Sequence, residues 1–566
     1  MLQSSTPNPP IKCMLGTRIP MRDGITLSAD IYMPDKPNWC GPCILVTTPY
    51  DNTMEILLQF ARYFVAVDYA YMIVDVRGRG DSDGEFKDFL QQGPDEYDCI
   101  EWAAQQPWCD TNVGMMGASY LGWTQWAAAR EHPPHLKTIV PTAAGGKIWG
   151  ELFYTNGLPC LWQLPWMNAV SGKTLQWNTA MLIDWKKVCF HLPLNTMDEV
   201  IGRHIPRWAE YMAHSTLDDY WKPYLFSPED FASIDIPVLT ITGWFDGDQL
   251  GALFFYEGMV DHSPVNTNQY LLIGPWDHGS TFDPQETVGK VNFGKSAVLN
   301  LIQIHIEWFD FWLKGIENNF NKWPKTRIFE LGTNSWRTSQ DFWPPKSNTS
   351  RTFYLDSLGN AQTSKGNGVL TSQPEYSAEV DIYKYDPRDP LLVSAYNAFK
   401  PDLNLRQKDF EERADALFYT SPPILDPFTI AGKPIVEFYG SSDCLDTDWV
   451  ALFSIVEPNG DLLHFRSDDF HGGVLRARFR NSFEKPELLE PGKIYQFTLT
   501  LSSICAKIYP RQRIRLMLNS SAFPVYARNQ NTGNDIGSDI EIKVATNSIH
   551  HSAKHPSKLI IPIFKE

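Results

Sequence analysis

The segment Val113-Gly-Met-Met-Gly117-Ala-Ser119-Tyr120-Leu-Gly122 constrains this chain more than any other. An apolar run leads into it. A helix-compatible run, Trp123-Thr-Gln-Trp-Ala-Ala-Ala-Arg130, leads out and stops before Pro133-Pro134. A strand that passes to a helix through a turn of small residues belongs to an α/β layer structure and presents the turn residue at the edge of the sheet. The helix start also offers unpaired N–H groups to a developing negative charge. The pattern approaches G-x-S-x-G, with Leu121 where the second glycine is expected and Gly122 one place late. A serine at a helix start most often caps the helix, so Ser119 needs partners elsewhere before it reads as a nucleophile.

Two later apolar runs end suitably. Val238–Thr242 leads into Gly243-Trp244-Phe245-Asp246-Gly247-Asp248, and Tyr270–Ile273 leads into Gly274-Pro275-Trp276-Asp277-His278-Gly279. Both put polar residues beyond the carboxyl end of a predicted parallel strand, where open α/β sheets bind ligands. A serine hydroxyl needs a general base, and the base needs an orienting carboxylate. Of the 13 histidines, His278 is the one that follows such a strand after Asp246. The order Ser119, Asp246, His278 is that of an α/β-hydrolase. Asp248 and Asp277 are rival acids.

The rest of the chain organises around this core. Its 566 residues exceed one hydrophobic core. Ile44–Val46 and Met72–Val74 read as buried strands and Asp95–Ala104 as a helix, so residues 1–148 begin an α/β-hydrolase domain that resumes over 228–325. Residues 149–227 carry seven tryptophans among helix-like segments and read as an inserted helical cap. A helix is predicted from about Ala297 to Leu313, and Asn318–Lys322 reads as a boundary. Phe497, Leu499 and Leu501, and Ile514, Leu516 and Leu518, alternate with other residues, so 326–566 is predicted to be an all-β domain of jelly-roll type.

Composition excludes several classes. A net charge of −17 disfavours nucleic acid as a partner, and no apolar run is long enough for a transmembrane helix. The N-terminal MLQSSTPNPPIKC lacks a charged and then apolar leader. Nine scattered cysteines favour reduced thiols, hence a cytoplasmic location. No cofactor or metal is implied, and a homo-oligomer is left open. Two strings look like other functions. Trp39-Cys40-Gly-Pro-Cys43 is a thioredoxin active-site string, but it precedes a strand instead of opening a helix. Arg79-Gly-Asp-Ser82 is an adhesion string inside a glycine-rich loop whose Asp81, Asp83 and Glu85 read as solvated carboxylates.

A series of motifs then matches a known family in order. They are Pro20-Met-Arg-Asp-Gly24, Thr48-Pro-Tyr50-Asp51, Asp75-Val-Arg-Gly-Arg-Gly-Asp-Ser-Asp-Gly84, Gln106-Pro-Trp-Cys-Asp110, Gly117–Gly122, Gly243–Asp246, Gly274–His278, Asp446-Thr-Asp-Trp449 and Arg528-Asn-Gln-Asn-Thr-Gly533. On these the chain resembles the cocaine esterase-like (CocE/NonD) serine hydrolases, grouped with X-Pro dipeptidyl peptidases, α-amino acid ester hydrolases and glutaryl-cephalosporin acylases. The resemblance implies Ser119, Asp246 and His278 as a triad, with an oxyanion hole of the Tyr50 hydroxyl and the Tyr120 backbone N–H. It also implies an α/β-hydrolase domain, a helical cap and a C-terminal jelly roll. Relatives that bind an α-ammonium group use carboxylates at positions matching Asp248, Gln249 and Leu152, the last beside Glu151, so that set is only partly kept. Asp248, Glu151, Trp149 and Trp244 are the expected substrate-binding residues. The expected reaction is hydrolysis of small ester or amide substrates, including α-amino acid esters, through an acyl-enzyme. An X-Pro dipeptidyl peptidase or a side-chain amide acylase is the alternative among enzymes, and a binding protein using its jelly roll is the alternative outside them.

Overall fold

A computed structural model describes residues 8–375, 380–396, 404–406, 408–467, 470 and 473–565. The question of an N-terminal leader falls partly on residues 1–7, outside the described residues.

The chain begins with β1 (Ile11–Pro20) and β2 (Thr26–Pro34), an antiparallel pair. Alternation follows: β3 (Gly41–Thr48), α1 (Glu55–Ala66), β4 (Ala70–Asp75), α2 (Gln92–Ala104), β5 (Cys109–Ala118), α3 (Tyr120–Arg130) and β6 (Leu136–Thr142). Every residue of β3 and β4 is buried, as strands covered by helices on both faces require. A helix-rich stretch holds the hairpin β7 (Tyr154–Thr155) and β8 (Leu158–Pro159), then α4 (Gln163–Val170), α5 (Trp185–Phe190), α6 (Met197–Ile201) and α7 (Pro206–Ala213). At α8 (Pro228–Ser233) the Ser227 side chain accepts from the Asp230 N–H, and the Asp230 carboxylate accepts from the Ser227 N–H, a reciprocal cap. The α/β rhythm then resumes with β9 (Val238–Phe245), α9 (Gln249–His262), β10 (Gln269–Asp277), a small hairpin of β11 (Thr287–Val288) and β12 (Val291–Asn292), and α10 (Leu301–Lys314). Helix α10 starts later than predicted because the Asn300 side chain caps it by accepting from the Gln303 N–H.

These strands form one ten-stranded sheet in the order β1-β2-β4-β3-β5-β6-β9-β10-β13-β14, where β13 is Thr326–Glu330 and β14 is Ser335–Ser339. The last two lie beyond residue 326, where the sequence reading begins the all-β domain, and join the first sheet. Strand β13 pairs in parallel with β10 (Leu271 opposite Thr326), and β14 closes the edge antiparallel to β13. Period-two patterning gives a strand but not the sheet it joins. The remaining strands build the all-β domain in a second, 14-stranded arrangement. Strand Tyr495–Thr500 within it buries Phe497 and Leu499, as the alternation predicts, while Arg513–Asn519 buries Met517 as well as Ile514, Leu516 and Leu518.

Strand order reverses between β3 and β5: β3 is followed in the chain by β4 on one side and flanked by β5 on the other. Open α/β sheets bind ligands beyond such a reversal. Ser119 follows β5 and Tyr50 follows β3, so the two stand on either side of it. Among the described residues no helix is long and apolar enough to cross a membrane.

Candidate active site

Ser119 sits between β5 and α3 with φ 61° and ψ −128°, a conformation that an L-residue holds only under constraint. The constraints are visible. The Ser119 N–H donates to the Thr142 carbonyl at 3.0 Å, and the buried Gln125 amide donates to the carbonyls of Gly117 and Leu121 at 3.1 and 2.8 Å. Gly122 explains the displaced glycine. A Cβ there would lie 2.7 Å from the Ala144 Cβ and 3.0 Å from the Thr142 carbonyl oxygen, so α3 crosses the end of β6 too closely for any side chain. Leu121 instead faces the cavity. Tyr120 is the first residue of α3, so its N–H has no carbonyl four residues back within the helix.

Asp246 is fully buried just after β9. Its Oδ1 lies 2.8 Å from His278 Nδ1 and accepts from the Asp248 N–H at 3.0 Å, while Oδ2 accepts from the Thr242 hydroxyl at 2.6 Å. The rival acids have other places. The Asp277 carboxylate accepts from the Ser280 N–H at 2.8 Å, and Asp248 Oδ2 stands 3.8 Å from His278 Nδ1. The 2.8 Å contact turns Nδ1 of the His278 imidazole to Asp246.

Tyr50 is held from three directions. Its N–H donates to the Thr48 hydroxyl at 3.1 Å, and the preceding Pro49 carbonyl accepts from Arg79 Nε at 2.6 Å. The Tyr50 hydroxyl accepts from the Trp166 indole N–H at 3.2 Å and is hydrogen-bonded to the Ser119 side chain. Burial, the largest influence, pushes the Tyr50 pKa up to about 12, and those two hydrogen bonds pull it down. The group is therefore a neutral donor at ordinary pH. Arg79 is fully buried and also donates to the Val170 carbonyl at 2.8 Å, tying the Tyr50 turn to α4. The arginine of the adhesion-like string is thus internal. Cys43 of the thioredoxin-like string is likewise buried within β3, where burial holds its thiol pKa well above the usual range. Of the loop carboxylates, Asp83 pairs with Arg18.

Ser119, Tyr50, Tyr120, His278 and Asp248 line one cavity of about 660 Å³. Leu57 and Phe60 of α1 line it on one side, Leu152, Trp162, Trp166 and Leu175 of the helical stretch on another, and Tyr396 and Val525 of the all-β domain also reach it. Among the described lining residues Asp248 is the acidic one, and none is a lysine or arginine.

Three expected substrate-binding residues lie elsewhere. The Glu151 carboxylate is fully buried and accepts from the N–H groups of Gly146, Lys147 and Gly251 at 2.9, 3.0 and 2.8 Å. Gly251 is in the first turn of α9, so Glu151 caps that helix with a charge its dipole favours. Trp149 packs on Tyr154 and on Phe483 of the all-β domain, with ring centroids 5.9 and 5.0 Å away. The Trp244 indole donates to the Phe329 carbonyl at 2.6 Å, and its ring meets Trp343 at 5.6 Å. All three fill space between layers, where a residue next to a loop still points into packing. Gln249 donates to the carbonyls of Gly243 and Trp244 and accepts from the Ser503 N–H. Sequence reasoning missed the parts that Trp166, Arg79 and Tyr396 play at the site, which they reach through contacts far along the chain.

Residues 23–280 match the X-Pro dipeptidyl-peptidase (S15 family) profile, and residues 318–560 match the X-Pro dipeptidyl-peptidase C-terminal non-catalytic domain. The cocaine esterase of Rhodococcus sp. (strain MB1 Bresler) is 32% identical over 97% of this chain and 98% of its own length. An aminopeptidase from the marine sediment archaeon Thaumarchaeota archaeon (23% identical, TM-score 0.87, covering 100% of this chain and 99% of its own) shares the fold. So does an α-amino acid ester hydrolase, at 22% identity and TM-score 0.86 over 100% of this chain and 98% of its own. Similarity end to end with an esterase, together with both family profiles, places the chain in the CocE/NonD and X-Pro dipeptidyl-peptidase (S15) family, as a serine hydrolase acting on ester or amide bonds.

Proposed function

We propose that the protein is an esterase for small, apolar acyl esters and that Ser119 carries the acyl group. The observation that carries this reading is the 2.8 Å contact of Asp246 with His278, whose ring shares a cavity with Ser119 and Tyr50. In the proposed course, Ser119 Oγ attacks the ester carbonyl carbon while His278 Nε2 takes its proton. Asp246 holds the imidazole and stabilises its cation. The negative charge that forms on the carbonyl oxygen meets the Tyr50 O–H and the Tyr120 N–H. Collapse expels the alcohol, protonated by His278. Water then repeats the sequence on the acyl-enzyme and releases the acid.

The walls favour an apolar substrate, because among the described residues one carboxylate and neither lysine nor arginine line the cavity. A second reading is an α-amino ester or an X-Pro peptide amide, its ammonium group paired with Asp248. The position of Asp248 on the cavity wall favours it, and the use of Glu151 as a helix cap removes the second carboxylate it would call on. The test is a panel of p-nitrophenyl esters, amino acid esters and X-Pro amides on the wild type and Ser119→Ala, with fluorophosphonate labelling. Turnover of apolar esters, lost by about 10⁴-fold or more in Ser119→Ala together with labelling, is expected. Preference for X-Pro amides, or labelling that survives Ser119→Ala, would refute the proposal.

A further inference from the structure

The strand Arg513–Asn519 carries its basic residues on one side. Arg513 and Arg515 are two places apart and share a face, while Ile514 and Leu516 point inward and are buried. Arg515 stands between Thr420 and Ser454 of the neighbouring strands, and Arg513 beside Val456. A third arginine, Arg511, lies in the turn before the strand, with a φ of 74° that an L-residue rarely adopts. Hydrogen bonds hold this turn. The Arg511 N–H donates to the Ile424 carbonyl at 2.8 Å. The Gln512 side chain accepts from the Tyr509 N–H at 2.7 Å and donates to Glu457 Oε1 at 2.8 Å.

The three arginines line a cleft of about 530 Å³ in the all-β domain, where Glu457 is the acidic residue among the described lining residues. None of the described residues that line this cleft also lines the cavity of Ser119. The three cations are unequally balanced. Arg515 is partly buried, pairs with Glu411, and donates from Nε to the Thr420 hydroxyl at 3.0 Å. Arg513 donates to the Ser421 carbonyl, a neutral acceptor, at 3.0 Å. Arg511 and Arg513 are both exposed, and among the described residues no carboxylate lies within ion-pair distance of either. Burial is the largest influence on Arg515 and lowers its pKa; Glu411 raises it, and the Arg513 charge lowers it again. The positive charges therefore crowd one another. An anion placed among them relieves that repulsion, and each guanidinium offers a fork of donors that fits carboxylate and phosphoryl oxygens.

We propose that this cleft binds a small molecule carrying two oxyanion groups, phosphoryl or carboxylate, one held by Arg511 and the other by Arg513. The two Cα atoms are at most about 7 Å apart, so a linker of a few atoms joins the acid groups. The volume of the cleft suits a small ligand. So does the net charge of −17, since the rest of the surface repels a long polyanion.

The experiment uses isothermal titration calorimetry on the full chain. The probes are methylphosphonate, the alkane-α,ω-bisphosphonates with one to six carbons, acetate, and the dicarboxylates of the same lengths. The proteins are the wild type, Arg511→Gln, Arg513→Gln and Arg513→Lys. In the wild type one two-group anion is expected to bind about tenfold or more tightly than its one-group counterpart, and less tightly as salt rises from about 20 to about 200 mM. Whichever series binds more tightly identifies the acid group. Arg511→Gln and Arg513→Gln should each bring that anion to within about threefold of its one-group counterpart. Arg513→Lys keeps the charge without the fork and should fall between. Turnover of a p-nitrophenyl ester should be unchanged in all three variants, which shows that each is folded. The site would be overturned if no anion bound, if the wild type bound one-group and two-group anions equally, or if binding were undiminished in both glutamine variants.

Discussion

The indole N–H of Trp166 donates to the Tyr50 hydroxyl at 3.2 Å, so a residue of the inserted helical stretch sets the direction in which Tyr50 can donate. The bond occupies an acceptor site on the phenol oxygen and leaves its proton for another partner. If that partner is the oxyanion, Tyr50→Phe should lower kcat by about 10²- to 10³-fold. Trp166→Phe leaves the donor present but undirected, and a smaller loss, about tenfold or less in kcat, is expected. Because burial pushes the Tyr50 pKa up to about 12, the donor persists into alkaline solution, and the kcat profile should show no ionisation of Tyr50 below about pH 10. Steady-state kinetics on one activated ester across pH checks all three points.

Two carboxylates stand near His278 at different distances, 2.8 Å for Asp246 and 3.8 Å for Asp248. The nearer one fixes the tautomer. Asp246→Asn should therefore lower kcat by about 10⁴-fold while the fold is retained. Asp248→Asn should change turnover of a neutral ester by less than about tenfold. It should cost an α-amino ester more, through loss of a charged partner. Comparing the two variants on an amino ester and its deaminated analogue separates the roles.

The glycine one place late in the serine motif gives a third expectation. Leu121→Gly would restore the usual pattern but only empties part of a cavity wall, so activity should survive with an altered KM. Gly122→Ala would set a methyl group 2.7 Å from Ala144 and against the Thr142 carbonyl, which also accepts the Ser119 N–H. Overpacking at this point should cost about 1–3 kcal/mol of stability and displace the serine, lowering kcat. Urea unfolding and kinetics of the two variants, measured side by side, test the contrast.

Ser119, Asp246 and His278 could be picked out in the sequence because each follows an apolar strand, and chain order places such residues along one edge of the sheet. The strands themselves were legible for the same reason, since β3, β4, β9 and β10 are apolar runs buried on both faces. Glu151, Trp149 and Trp244 were misplaced because proximity in sequence to the site does not fix the direction of a side chain. That β13 and β14 extend the first sheet was not legible, because residues 326–339 carry no information about pairing partners more than fifty residues earlier.

His305 supplies a pH dependence. It is buried in α10, and burial lowers its pKa to about 4, although its Nδ1 hydrogen bond to the Leu301 carbonyl at 2.6 Å acts in the other direction. Between the ordinary value near 6.5 and about 4, the unfolded chain binds a proton that the folded protein refuses. The contribution is intact above pH 6.5 and is lost as the pH falls, by about 3 kcal/mol in all. His305→Gln keeps a donor for Leu301 and does not titrate, so its stability should fall less steeply than the wild type's between pH 6.5 and 4. Equal slopes in denaturant midpoints across that window would refute the assignment.

The role of Glu151 can be decided by separating stability from specificity. Three N–H groups converge on its carboxylate, and Gly251 is one of them because no side chain fits there: a Cβ would lie 2.0 Å from the Gly146 nitrogen. The contact joins the segment after β6 to the first turn of α9, the helix that follows Asp246 and Asp248. Glu151→Gln turns a donor toward at least one of these N–H groups and removes the charge at the helix start. A loss of about 2–3 kcal/mol is expected, seen as a lower Tm. A helix cap touches no substrate, so the ratio of kcat/KM for an α-amino ester to that for its deaminated analogue should stay within about twofold of wild type. That ratio should move instead in Asp248→Asn. If Glu151→Gln left Tm unchanged and depressed the ratio tenfold, the carboxylate would belong to the substrate site, and the capping assignment would be wrong.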